Sequence, residues 1–148
     1  MIEIEVEADD WTVVLADVEA VVERAAGAAL GPVAGDVVVL LTDDAAVRDL
    51  NARFRDKDRP TNVLSFPAPE SAAPHLGDIV LAYGVCAAEA ETQGKTLADH
   101  LSHLVVHGVL HVLGRDHEDE AEAEEMEAEE RDILARIGVA DPYAGDFA

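Results

Sequence analysis

TLADHLSHLVVHGVLHVLGRDH occupies residues 96–117, and its reading fixes one long helix and the point where the chain leaves it. Thr96 with Asp99 three residues on resembles a capping box, with Asp where Glu is usual. The helix this opens is expected to run to about Leu113 and to stop at Gly114, a natural residue for the position just past a helix end. His107 and His111 are four apart, so both side chains project from one helical face, a turn apart. Continuing the helix would carry residue 117 away, but Gly114 takes positive φ readily and can turn the chain back. His117 then completes a three-nitrogen set. Neutral imidazoles suit zinc, and three protein ligands with a fourth position left to water is the catalytic arrangement. Water held there reaches a pKa near ~7. The expectation is one zinc ion on His107, His111 and His117, used for hydrolysis. The competing reading is a His-rich helix whose histidines are unrelated core or surface residues. His103 and His100 lie four and seven residues before His107, each a candidate fourth ligand or neighbour of the ligands, or simply a half-exposed polar position.

On the N-terminal side, Ile2, Ile4 and Val6 alternate with Glu3, Glu5 and Glu7, the period-2 pattern of a strand with one face in water. Residues 11–30 carry Leu15, Val18, Val21, Val22 and Ala25 at helical spacing. Gly31, Pro32 and Gly35 punctuate, and 37–41 is a continuous apolar run, as in a strand buried on both faces. Thr42, Asp43 and Asp44 supply capping chemistry for a helix with Val47, Leu50 and Phe54 on one face. A polar loop over 55–61, strands over 62–66 and 77–83, and a helix over 84–93 follow. The acidic last helix spans about 118–137, with Met126, Ile133, Leu134 and Ile137 as its inner stripe. Glu130 falls on that face and is read as snorkelling at the stripe's edge, with burial against a neighbouring helix as the alternative. This order predicts an α+β fold: a single domain over residues 1–148 with a mixed four-stranded sheet packed by about five helices, mostly on one side, and the metal-site helix in the C-terminal half.

Composition narrows the function. The formal net charge is -22, which repels phosphate backbones and argues against indiscriminate nucleic-acid binding. The principal basic concentration is Arg53, Arg55, Lys57 and Arg59, interrupted by Asp56 and Asp58, so a phosphate-bearing substrate is met locally there. The acids are read first as a solvated surface. The lone Cys86 excludes an intramolecular disulfide framework and Cys-rich zinc modules. No secretory signal or membrane-length apolar run is present, and the cytoplasm is the expected location. An aromatic content of 4% makes an extended base-stacking platform unexpected, with Phe54 and Phe66 read as core.

The histidine spacing equals that of the metzincin metallopeptidases, HExxHxxGxxH, with Gly108 in place of the general-base glutamate. A peptidase lacking that carboxylate loses its proton acceptor and shuttle. Asp116 is available, though it reads first as a turn-capping residue or one that orients a ligand. Three blocks in order, LNARFRDKDRPTNVLSFP (50–67), LGDIVLA (76–82) and HGVLHVLGRDH (107–117), together with Met126, Glu130 and Ile133-Leu134, resemble the YbeY family of bacterial rRNA-maturation endoribonucleases, from the first strand to about Gly138. The resemblance implies a metal-dependent, single-strand-specific endoribonuclease acting on the 3′ end of 16S rRNA and in ribosome quality control, with the small ribosomal subunit and its proteins as partners and no DNA. It places His107, His111 and His117 as zinc ligands and Arg55 as the functionally important arginine. An arginine fork suits the charge that develops on nonbridging phosphate oxygens. Arg53, Lys57 and Arg59 are candidate RNA contacts, against a reading as solvated loop charges. Asp78 is expected to be a structural hydrogen-bonding residue rather than a ligand, and the structural alternative for Arg55 is a pair with an acid such as Asp78. Two alternatives remain at this point: a metallopeptidase-like hydrolase using Asp116 or a distant carboxylate, and a non-enzymatic ribosome assembly factor whose zinc braces the fold.

Overall fold

A computed structural model of the chain describes residues 1–115 and 119–143. Among the described residues the expected architecture is present: a mixed sheet of four strands with six α-helices around it. Strands β1 (Ile2–Val6), β2 (Asp36–Thr42), β3 (Val63–Pro67) and β4 (His75–Ala82) lie in the order β1-β2-β4-β3. β1, β2 and β4 run parallel, and β3 joins β4 antiparallel as an edge strand. Helices α1 (Asp10–Val14), α2 (Val18–Leu30), α3 (Asp44–Arg55), α4 (Tyr83–Thr92), α5 (Leu97–Val112) and α6 (Glu120–Arg136) complete it.

The two faces of the sheet are covered unequally. Val37, Val39, Leu41, Ile79 and Leu81 face a large core with α2, α5 and α6, where Val22, Leu101, Val105, Val109 and Leu134 are buried. The other face carries a smaller cluster of Val47, Leu64, Val80 and Ala82, roofed by α3. Strand β2 is therefore not buried on both faces as its unbroken apolar run suggests. Its odd positions are sealed and Val38 and Leu40 only half-covered, because α3 is a thinner roof than the α2/α5 layer.

Residues 11–30 do not form one helix. Trp11 is buried and donates its indole N–H to the Thr42 carbonyl at 3.0 Å. That bond anchors α1 over the end of β2. Leu15 then takes extended backbone (φ -124°, ψ 93°), and α2 starts afresh at Val18.

Helix α5 lies close on the sheet at two glycines. A Cβ on Gly108 would sit 2.8 Å from Ile79 Cγ2, and one on Gly77 would sit 2.7 Å from the Phe66 carbonyl and 2.9 Å from Val112. The helix opens with the Thr96 hydroxyl accepting from the Asp99 N–H at 3.1 Å. At its end Gly114 (φ +97°) donates to His111 O, and Arg115 N–H to Leu110 O. Those paired bonds satisfy two of the helix's last carbonyls and end it there.

Candidate active site

Along one face of α5 stand His100, His103, His107 and His111, with successive ring centroids 6.4, 6.4 and 4.9 Å apart. The i, i+3/i+4 spacing produces the row directly. Its buried end is structural. His100 is 3% exposed and hydrogen-bonds Glu89 at 2.8 Å; burial pushes its pKa below the ordinary value against the pull of that carboxylate. Its open end is different, because His107 and His111 line a cleft of about 670 Å³.

Arg55, Lys57 and Arg59 line the same cleft, together with Thr61 and Asn62 and with Val63 through Phe66 of β3. The fold holds the basic segment in place from beneath. Arg55 is the last residue of α3 rather than the first of a loop, and Asp56 follows in the left-handed region (φ 58°). Asn51, 3% exposed, donates its amide to the Arg59 carbonyl at 2.8 Å, and its own carbonyl accepts from Lys57 N–H. Asp58 pairs with Arg48 at 2.8 Å, outside the cleft lining. Asn62 lines the cleft but its amide is engaged, donating to Glu89 at 3.0 Å and accepting from Val63 N–H.

Several expected residues stand elsewhere. Arg53 does not line the cleft; its guanidinium pairs with Asp49 at 3.3 Å and lies 5.6 Å from the Phe54 ring centre. Asp78 bonds His75 at 3.2 Å rather than Arg55, and neither His75 nor Asp78 lines the cleft. His117 and Asp116 lie outside the described residues. Phe54 corrects its expected place in the core: it is 63% exposed, lines the cleft, and meets Phe66 edge-to-face at 5.8 Å. The apolar stripe that begins at the buried Val47 thus ends in solvent at Phe54.

Glu130 is the residue that sequence reasoning misplaced. It does not snorkel; it is 1% exposed. Oε1 is 2.7 Å from both His103 Nε2 and the Tyr143 hydroxyl, and Oε2 is 3.0 Å from His107 Nδ1. Burial alone pushes this carboxyl up, but the bonds from His103, His107 and Tyr143 outweigh it and hold the group down at about 2. A glutamate in register with Met126 and Ile133 was the available signal, since a buried carboxylate persists only where donors meet it.

The donors suit a metal ion. Two imidazoles a helical turn apart open on one cleft, and borderline-soft zinc favours such nitrogens. Among the described residues no group of three or more His, Cys, Asp or Glu is placed to hold a metal. His107 and His111 are two of the three expected ligands. Cys86 offers no alternative nucleophile, because burial pushes its thiol pKa well up. Gly108 is buried against Ile79, so the position that carries a general base in metzincins faces the sheet in this chain.

Two histidines and three cations thus line one cleft beside the edge strand β3. Comparison with known proteins gives the family. The model of the family described as Endoribonuclease YbeY matches residues 3–138, and the chain belongs to that family. It is 55% identical over 132 residues to a Chelativorans protein named endoribonuclease YbeY, covering 86% of this chain and 81% of that one. The Azorhizobium caulinodans protein of the same name is 51% identical, over 97% of this chain and 96% of its own length. The solution structure of the Thermotoga maritima protein TM1509 superposes with a TM-score of 0.58 at 26% identity, over 93% and 91% of the two chains.

Proposed function

We propose that this chain is a zinc-dependent endoribonuclease that cuts single-stranded RNA in the cytoplasm, maturing the 3′ end of 16S rRNA and serving ribosome quality control. The observation that carries the reading is the shared cleft: Arg55, Lys57 and Arg59 line it together with His107 and His111. His107 and His111, with His117 as the third expected ligand, are the residues that would hold the ion. Zinc bound to such a set supplies a Lewis acid and an activated water.

The rest of the work falls to the chain's own residues. Arg55, exposed at the end of α3, offers a planar fork to the nonbridging oxygens of the scissile phosphate, where charge grows during cleavage. Lys57 and Arg59 lie along the same wall and suit the flanking phosphates. Phe54 offers a ring face to one unstacked base, which a single strand can supply and a duplex cannot. Asn51 and Glu89 hold this wall in place through Arg59 O and Asn62. The peptidase alternative is disfavoured by Gly108, where a glutamate would have to enter the α5–sheet contact. The acidic outer face of α6 suits basic proteins of the small ribosomal subunit.

The test is digestion of labelled single-stranded RNA, the same RNA in a duplex, single-stranded DNA and casein, with the termini mapped. Cleavage confined to single-stranded RNA is expected, and the termini distinguish attack by water from attack by the 2′-hydroxyl. Digestion of casein with RNA left intact would overturn the reading.

A further inference from the structure

Glu130 is a buried charged group that the cleft chemistry does not use, and its three partners come from different parts of the chain: His103 and His107 on α5 and Tyr143 beyond α6. A carboxylate only accepts hydrogen bonds, so each of these partners must donate. In a neutral imidazole one nitrogen donates and the other carries the lone pair. His107 Nδ1 is therefore the protonated nitrogen, and Nε2 carries the lone pair that a metal requires. The geometry points to Glu130 as the positioning residue of the metal centre: by holding the Nδ1 proton of His107 it fixes the tautomer and ring orientation that present Nε2 to the ion. This inference rests on the metal-site reading above.

Two other roles for Glu130 fit less well. As a ligand it would have to reach the cleft, but it is buried, is not among the cleft's lining residues, and already accepts three hydrogen bonds. As a mere brace between helices, a buried charge is a poor choice, because apolar side chains of similar size do that work at no desolvation cost. Carboxylates behind ligating histidines recur in metal sites, and losing one weakens binding by roughly 10- to 100-fold. His103 and Tyr143 act one layer further out: with both on Oε1, the carboxylate is held with Oε2 toward His107.

Two measurements on the full chain test this. In metal-free, nitrogen-15-labelled wild type at alkaline pH, long-range proton–nitrogen spectra should show His107 protonated at Nδ1. Protonation at Nε2, the usual preference of free imidazole, would overturn the inference with no variant needed. Zinc affinity by competition with a chromophoric chelator should fall roughly 10- to 100-fold in Glu130→Gln, whose amide can offer a donor to Nδ1 and favour the blocking tautomer. Glu125→Gln, an exposed acid on the same helix, removes the same charge and should leave affinity unaltered. Equal affinity in wild type and Glu130→Gln would sink the positioning role while leaving the site intact. Equal affinity in wild type and His111→Ala would sink the metal-site reading itself.

Discussion

Removing the charge from Glu130 should change stability in a pH-dependent way. The carboxyl is 1% exposed and held at about 2 against an ordinary value of 4.5. At 1.36 kcal/mol per unit, a depression of that size corresponds to roughly 3 kcal/mol of linked stability in the metal-free protein. The folded pKa lies below the unfolded one, so this stability is fully present above about pH 5 and is lost as pH falls toward 2. Urea unfolding of chelator-treated wild type and Glu130→Gln at pH 7, 5, 4 and 3 reads it directly. The difference between the two proteins is the quantity to follow, since protonation of the many surface acids relieves repulsion equally in both. It should be roughly 3 kcal/mol at pH 7 and should shrink steadily below pH 5. A difference that stays constant from pH 7 to pH 3 would refute the claim that His103, His107 and Tyr143 stabilise the ionised carboxylate.

Other outcomes follow from the same geometry. Gly108→Ala gains about 1 kcal/mol of helix propensity but forces a methyl against Ile79, at about 1–3 kcal/mol, so calorimetry should show a melting temperature unchanged or lowered by a few degrees; a clear rise would refute the close approach of α5 to β4. Asn51→Ala frees the Arg59 carbonyl and should cost about 1–2 kcal/mol, with faster proteolysis between Arg55 and Thr61 as the readout; an unchanged cleavage rate there would count against its role in holding the basic segment. Arg48→Ala breaks an exposed pair with Asp58 and should leave the urea midpoint nearly unchanged; a clear drop would show that the pair does more than a screened surface contact.

Much of the fold was legible because its signals are local. Alternating glutamates marked β1, Thr96 and Gly114 bounded α5, and Asp43 capped α3 by accepting from Ala46 N–H. The failures all concern tertiary neighbours. Nothing within residues 11–30 says that Trp11 will bond Thr42 and turn the chain at Leu15. The run 37–41 does not reveal that α3 roofs its outer face thinly. Phe54 keeps helical register with Val47, yet whether that stripe meets core or solvent depends on where the sheet ends. At the site, the His107/His111 pair was readable from a four-residue spacing, whereas the place of Arg55 beside it was implied only by the family resemblance. Glu130 was misread because the three donors that make its burial tolerable lie 13, 23 and 27 residues away.

We propose that one cleft combines histidine-bound metal with Arg55 to break phosphodiester bonds. The deciding measurement is the single-turnover rate on a labelled single-stranded RNA, compared for zinc-loaded wild type, the chelated protein, His107→Ala and Arg55→Ala. Wild type should cleave, chelation and His107→Ala should abolish cleavage, and Arg55→Ala should slow it about 10²- to 10³-fold with zinc content unchanged. Intact RNA with zinc-loaded wild type, or equal rates in all four samples, would contradict the account.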